Sequence, residues 1–208
     1  MLPIVSKEDT VENTKGKILD TALKLFSEKG FDGTSMQDIA ERLGLTKAAL
    51  YCHFAGKDAL LDALIAELKA YYEAGLGATT ERLRIPASTE ELYRMSMAQI
   101  RFTVEDTRIV RVRRFFTLSQ FWDARIAALA EEYFHAGPER LYTVVFSGMT
   151  ERGLLREADA SLLAFEYVTP IGVLIHLCDR EPVKKEETLA LTERFVTWFI
   201  GRWRRETV

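Results

Sequence analysis

With 208 residues, 48% hydrophobic and 11% aromatic, the chain can bury a core and is no disordered segment; its length suits one large domain or a small domain joined to a medium one. A formal net charge of −3 excludes the general basic character of many nucleic-acid binders, so any such binding must rest on a few well-placed cations. Two isolated cysteines, Cys52 and Cys178, exclude a zinc ribbon or a disulfide framework and fit a reducing compartment.

Residues 1–10 read as a flexible arm. The opening run MLPIVSKEDTVENTK lacks the basic start and long apolar centre of a secretory signal, which makes the cytoplasm the expected location. The stretch TSMQDIAERLGLTKAALYCHFAGK, residues 34–57, is the most informative. Thr34 is expected to cap a helix, with Gln37 completing a capping box, while Met36, Ile39, Ala40 and Leu43 recur on one apolar face. Gly44 supplies a left-handed stop, Leu45 docks the turn, and Thr46 opens a second helix running to about Phe54. Two short helices around a tight glycine turn predict a helix-turn-helix, whose second helix enters the major groove of DNA.

At about 100° per residue, Leu50 and Phe54 define the buried side of that second helix. Ala48 and Cys52 point directly away from it, Lys47 and Tyr51 flank one edge, and Ala49 and His53 lie toward the other. Small groups on the crest permit close approach to a duplex, while lysine, tyrosine and histidine can donate to phosphate oxygens on the groove walls. The plain alternative is an amphipathic helix whose tyrosine packs on a neighbour. Residues 1–57 hold eight Lys/Arg and eight Asp/Glu, so the DNA reading requires that the cations gather on one face.

The run ILDTALKLFSEKGFDGTSMQDIAERLGLTKAALYCHFAGKDALLDAL, residues 18–64, resembles the N-terminal domain of TetR-type transcriptional regulators. The similarity covers an ILxxAxxLF helix, Gly-Phe and Thr-Ser pairs, LGLTK, LYxHF and a lysine opening the next helix. By that resemblance Thr34, Ser35, Tyr51, His53 and Lys57 bind phosphate. Thr46, Lys47, Ala48 and Ala49 read base edges, with Cys52 as a further contact. Gly56 departs from the serine or asparagine more usual there, though glycine is still an acceptable N-cap. The resemblance also implies a homodimer, a larger ligand-binding domain, and repression as the commoner outcome.

A fourth helix is expected from Lys57, with Leu60, Leu61, Leu64, Leu68 and Tyr72 apolar and an end near Gly75 and Gly77. Ser88 with Glu91 predicts a capped helix to about Glu105, and residues 107–118 fit helical spacing better than the strand-like alternation of 110–113. A long helix from about Asp123 to Arg152 is expected to kink at Gly137-Pro138 and to stop at Gly153-Leu154. Asp159 predicts the cap of a helix that contains Pro170 and closes at Glu181-Pro182; a final helix spans about 186–205. The expected fold is therefore all-α. A three-helix helix-turn-helix DNA-binding domain, residues 1–56, precedes a larger helical effector-binding and dimerisation domain, residues 57–208.

In the last helix Leu191, Phe195 and Trp198 form one stripe, and Leu189, Val196, Phe199, Ile200 and Trp203 form another. The helix near 160–180 is apolar nearly all round, although Glu166, His176 and its short apolar run argue against a membrane span. One subunit's core explains a single stripe. Both helices are therefore expected to pair with their copies as a two-fold four-helix bundle, setting two recognition helices about 34 Å apart on a palindromic operator.

The family resemblance implies an effector cavity in the middle of the chain; the sequence itself offers an aromatic surplus. Phe102, Phe115, Phe116 and Trp122 are candidate lining residues, as are Tyr133, Tyr142, Phe146 and Tyr167, alongside Phe121, Phe134 and Met149. They suggest a mostly apolar or aromatic effector with a few polar anchors. Arg101, Arg111, Arg113 and Arg114 could greet an anionic ligand, but read mainly as solvated helix faces. His53, His135 and His176 show no metal-ligand spacing and no catalytic glycine motif occurs, so no enzyme, cofactor or metal site is expected. The rival reading is a helical dimeric interaction or ligand-binding module without sequence-specific DNA binding. Under the regulator reading, the fourth helix acts as a lever between DNA surface and effector domain.

Overall fold

The computed structural model describes residues 7–76 and 84–205, with side chains described over 13–71 and 84–205. Among these residues the architecture is helical, and the β-type pairing is one isolated antiparallel bridge between Leu155 and Arg204. α1 (Lys7–Lys29) packs on α2 (Met36–Leu43), α2 packs on α3 (Lys47–His53), and α4 (Lys57–Leu76) leads away from them. Lys7 to Thr10 of the expected arm are already helical, whereas residues 1–6 lie outside the described residues, as do Gly77 and the side chain of Tyr72.

Four of the remaining helices begin where the sequence places a side-chain cap. Ser88 Oγ accepts from Glu91 N–H at 3.1 Å to open α5 (Thr89–Glu105). Asp106 accepts from the amides of Arg108 and Ile109 and so starts α6 (Thr107–Ser119), which settles the 110–113 alternation as helix. Asp123 caps α7 (Ala124–Glu131), and Asp159 caps α9 (Ala160–Arg180) before α10 (Lys185–Trp203) closes the described chain.

The long helix expected over 123–152 is two helices joined by a π-turn, Glu132–Ala136, ahead of α8 (Gly137–Glu151). Pro138 has no N–H to give and its ring crowds the carbonyl one turn back, so the α-ladder cannot continue. Gly137 N–H donates instead to Glu132 O, five residues back. A Cβ at position 137 would lie 2.5 Å from that carbonyl oxygen, so this junction has room only for glycine.

Apolar side chains divide into two clusters, and the division does not fall at residue 57. The first joins α1–α4 to Val112, Phe115 and Phe116 of α6 and to Ile126 and Ala130 of α7. The second gathers α5, α8, α9 and α10 around Phe146, Tyr167 and Phe199. Thus α6 and α7 pack with the helix-turn-helix as one body, and the other helices form a second.

A buried ion pair ties the two bodies together. Arg113 of α6, expected on a solvated face, is 3% exposed. Its Nη2 donates to Asp179 Oδ1 of α9 at 2.8 Å, Nε donates to Oδ2, and Nη1 donates to Thr103 O at 2.7 Å. The fork matches the carboxylate in two places and leaves neither charge alone in an apolar setting. Arg113→Ala should therefore cost about 3–5 kcal/mol in urea unfolding because it strands Asp179, whereas replacing both partners with leucine should cost much less. Equal losses in the single and double variants would remove the pair from this role.

Candidate nucleic-acid interface and interior cavity

The helix-turn-helix is assembled by local hydrogen bonds. Ser35, with extended backbone, is the N-cap of α2: its Oγ accepts from Asp38 N–H at 3.1 Å, and Asp38 accepts from Ser35 N–H at 2.7 Å. The Ser35 hydroxyl, which donates to the Asp38 carboxylate, and then the Ser35 N–H hold that carboxyl below the usual carboxylate range. The expected Thr34–Gln37 box is thus displaced by one residue. Thr34 is 1% exposed and its hydroxyl donates to Gly30 O at 3.0 Å, while Gln37 donates to Glu41. Gly44 ends α2 at φ 66°, and Thr46 Oγ1 accepts from Ala49 N–H at 3.1 Å to cap α3.

Leu50 and Phe54 are buried beneath α3, and Lys47, Ala48, Tyr51 and Cys52 are exposed above it. Ala49 and His53 are half-buried at the edge, and Thr46 is exposed at the entry. The Lys47 ammonium stands 6.0 Å from the Tyr51 ring centroid, so cation and phenol share one side of the crest. No carboxylate occurs within α3. The local surface is therefore cationic and narrow although the chain as a whole is acidic.

Two residues expected at phosphates are directed elsewhere. Thr34 is turned inward as described, which leaves Ser35 as the exposed member of the hydroxyl pair. Lys57 Nζ donates to Phe31 O at 2.9 Å and Thr34 O at 3.1 Å, and lies 4.2 Å from the Phe31 ring centroid. It braces the loop between α1 and α2 against the start of α4. Lys57→Met should lower stability by about 1–3 kcal/mol in denaturant titration without DNA, whereas Tyr51→Phe on the exposed crest should stay within about 0.5 kcal/mol. An unchanged Lys57→Met variant would return that ammonium to the pool of free surface cations.

Between the two apolar bodies lies a cavity of about 520 Å³. α5, α6 and α7 contribute Gln99, Thr103, Arg113 and Leu129; the π-turn contributes Glu132, Tyr133 and Phe134. Tyr142 of α8 and Ile171, Gly172 and His176 of α9 complete the wall. Of the eleven expected lining residues, Tyr133, Phe134 and Tyr142 are here, while Phe121 is exposed and Met149 is buried in the second core. Phe115 and Phe116 are consumed by the first core, where Phe115 stacks on Phe26 at 5.3 Å, and Phe146 and Tyr167 fill the second. Phe102 does not reach the cavity wall, and Trp122 sits 81% exposed on the α6–α7 turn. The aromatic surplus marked where space is filled; the Gly137-Pro138 junction was the sequence signal for where it is left open.

Burial, and then the Arg113 charge, keep the His176 imidazole below its usual pKa, so it is neutral near pH 7. Its ring meets Phe134 edge-on at 5.2 Å. The Tyr142 hydroxyl donates to Gln99 Oε1 at 2.9 Å, and burial pushes its pKa up to about 12. On the opposite side of α9 and α10, Leu162, Phe165, Val173, Leu191 and Trp198 are exposed, while Leu189, Val196, Phe199 and Ile200 are buried. The two stripes read in the last helix therefore face different surroundings.

Residues 18–64 match the family model described as bacterial regulatory proteins, tetR family. The biofilm operon icaADBC HTH-type negative transcriptional regulator IcaR of Staphylococcus aureus (strain Newman) is 50% identical over 48 residues, 23% of this chain and 26% of IcaR. The chain thus aligns with about a quarter of that relative's length. Along nearly the whole chain the fold is similar to MexZ, a repressor responsible for antibiotic resistance in Pseudomonas aeruginosa, with TM-score 0.70, 22% identity, and 91% and 94% of the two chains covered. It is also similar to SmeT in a complex with triclosan, with TM-score 0.68, 21% identity and 93% of each chain covered; SmeT is the repressor of the Stenotrophomonas maltophilia efflux pump SmeDEF. These two likenesses establish the fold, and the family model and IcaR describe regulators rather than enzymes.

Proposed function

We propose, from the premise that residues 18–64 are a TetR-family DNA-binding domain, that this chain is a ligand-responsive transcriptional repressor that grips a palindromic operator as a homodimer. The observation that carries the reading is the outward face of α3. Ala48 and Cys52 let the helix approach the base edges, Thr46, Lys47 and Ala49 reach them, and Tyr51, His53 and Ser35 donate to flanking phosphates. Repression follows the roles of IcaR, MexZ and SmeT, and the cytoplasm is where such a protein meets its operator.

The exposed apolar stripes of α9 and α10 supply a dimer face, since a lone soluble chain gains nothing by wetting Leu162, Phe165, Leu191 and Trp198 together. Affinity for a palindromic duplex should fall with salt, with a log–log slope of about −0.9 per phosphate neutralised. Tyr51→Phe should weaken binding to all duplexes, and Lys47→Ala should change the preferred sequence. Gel shifts at two salt concentrations with palindromic and random duplexes decide the matter. Equal retention of both duplexes would favour the rival reading of a dimeric module that does not recognise sequence.

The cavity supports release by an effector, as does the triclosan complex of SmeT. Because the cavity separates the body carrying α3 from the body carrying the dimer face, an occupant that reshapes it changes the angle between them. Lowering operator affinity ten- to a hundredfold needs about 1.4–2.8 kcal/mol of coupling. Arg125, at the first turn of α7, reaches Asp58 at 2.9 Å and Asp62 at 3.1 Å on α4, as well as Asp123 at 2.8 Å. Asp123, followed by Asp58, raises the guanidinium pKa further above its usual value. Leu129 of the cavity wall is one turn along the same helix, so α7 links the cavity to the start of α4. Arg125→Ala should alter stability by less than about 1 kcal/mol while reducing effector-induced operator release, read as the ratio of operator affinities with and without effector. An unaltered ratio would take Arg125 out of the linkage.

A further inference from the structure

Every charge near the cavity already has a counter-charge or water. Arg113 gives its fork to Asp179 and its remaining arm to Thr103 O. Glu132, at the π-turn, pairs with Arg140, and Lys69 is exposed at the rim. Past the rim, where Lys69 stands in water, a charged group would shed its hydration and find no free opposite charge to replace it. Two neutral polar groups remain. His176 has no hydrogen-bond partner among the described residues; burial, then Arg113 on α6, and more weakly His135 on the π-turn, outweigh the opposing Asp179 carboxylate on α9 and leave it a neutral donor and acceptor. Gln99 has its Oε1 occupied by Tyr142, and its Nε2 donates to none of the described residues. Around them stand aromatic rings and aliphatic chains: Tyr133, Phe134 and Tyr142 with Leu129, Ile171 and Ile175.

We infer that the effector is an uncharged, largely apolar ring compound bearing a hydroxyl or carbonyl oxygen, which His176 hydrogen-bonds within the cavity, and that the site discriminates against anions of the same shape. The inference deepens the regulator reading and rests on its assignment of the cavity as the effector site, but its test needs no DNA. The imidazole can donate to a carbonyl or phenolic oxygen, or accept from a hydroxyl. The aromatic walls favour a flat body held by offset or edge contacts.

Two matched probe pairs test this in the full-length protein. N-phenyl-1-naphthylamine is uncharged, and 8-anilino-1-naphthalenesulfonate adds one sulfonate to the same skeleton. Fluorescence titration should show saturable binding of the uncharged dye and at least about tenfold weaker binding of the sulfonate, a gap of about 1.4 kcal/mol. Equal affinities would overturn the charge selectivity. In competition with the uncharged dye, 2-naphthol should bind about three- to tenfold more tightly than 2-methoxynaphthalene, in keeping with one hydrogen bond. His176→Leu should abolish that difference while leaving the uncharged dye bound; a difference that survives in the variant would overturn the anchor.

Gly172 lines the cavity and a Cβ there would meet nothing within 4 Å, so Gly172→Leu occupies the space without backbone strain. It should remove the naphthol-competable binding. Binding that persists would put the probes on the exposed faces of α9 and α10 and overturn the inference. Naphthol binding that passes all of these criteria but leaves operator affinity unchanged would sink the release mechanism while sustaining the cavity chemistry.

Discussion

The contact between Arg113 and Asp179 sets the terms for the whole molecule. It joins two separately packed apolar bodies beside a cavity of about 520 Å³, where apolar contact alone would pull the walls together. A buried ion pair tolerates little displacement, because each partner left alone faces an environment that cannot solvate it. With both oxygens of the carboxylate engaged and the third arm on Thr103 O, α5, α6 and α9 are held in register around a void. The cavity and the orientation of the helix-turn-helix body therefore depend on one polar link. The same link uses up the cation that would otherwise attract an anionic ligand.

Sequence reasoning succeeded where structure is local. The period of α2, the left-handed Gly44, the Thr46 cap and the outward crest of α3 all depend on residues within a few positions of one another. So do the starts of α5 and α9, announced by Ser88 and Asp159. It failed where one side chain serves a distant partner. Lys57 looks like a free cation until the carbonyls of Phe31 and Thr34 arrive beside it, and Arg113 looks solvated until Asp179, far along the chain, closes on it. One local choice was missed as well: Thr34 and Ser35 are chemically near-equivalent, and the Gly30 carbonyl four residues back takes the Thr34 hydroxyl inward. The aromatic residues taken for cavity lining are mostly what closes the two cores, because large rings are the cheapest way to fill space. The cavity itself is a packing remainder, which leaves no periodic trace.

α4 is not an isolated rod between the two ends of the molecule. Near its start Asp58 and Asp62 meet Arg125 of α7. Further along, Glu67 pairs with Arg108 of α6, which also lies 3.5 Å from Asp20 of α1 and 4.8 Å from the Tyr71 ring. Tyr71 in turn donates to Asp106, the cap of α6, at 2.7 Å. Polar ties at two levels make α1, α4, α6 and α7 travel together. A lever confined to α4 would have to break them; rotation of the entire first body about the Arg113 link would not. The expected lever is better described as the edge of a larger rigid unit.

The three tryptophans are distributed so that the protein carries its own optical gauges. Trp122, 81% exposed, rides on the α6–α7 turn of the unit that bears α3. Trp198 stands on the apolar flank of α10, 52% exposed in the lone chain, while Trp203 is half-buried farther along the same helix. On the proposed dimer the indole at 198 would become dry as two copies meet, and its emission would shift to shorter wavelength; the one at 122 would remain wet in every state. Association would thus leave a fluorescence signature of its own at Trp198, read against an unchanging Trp122, with no label attached.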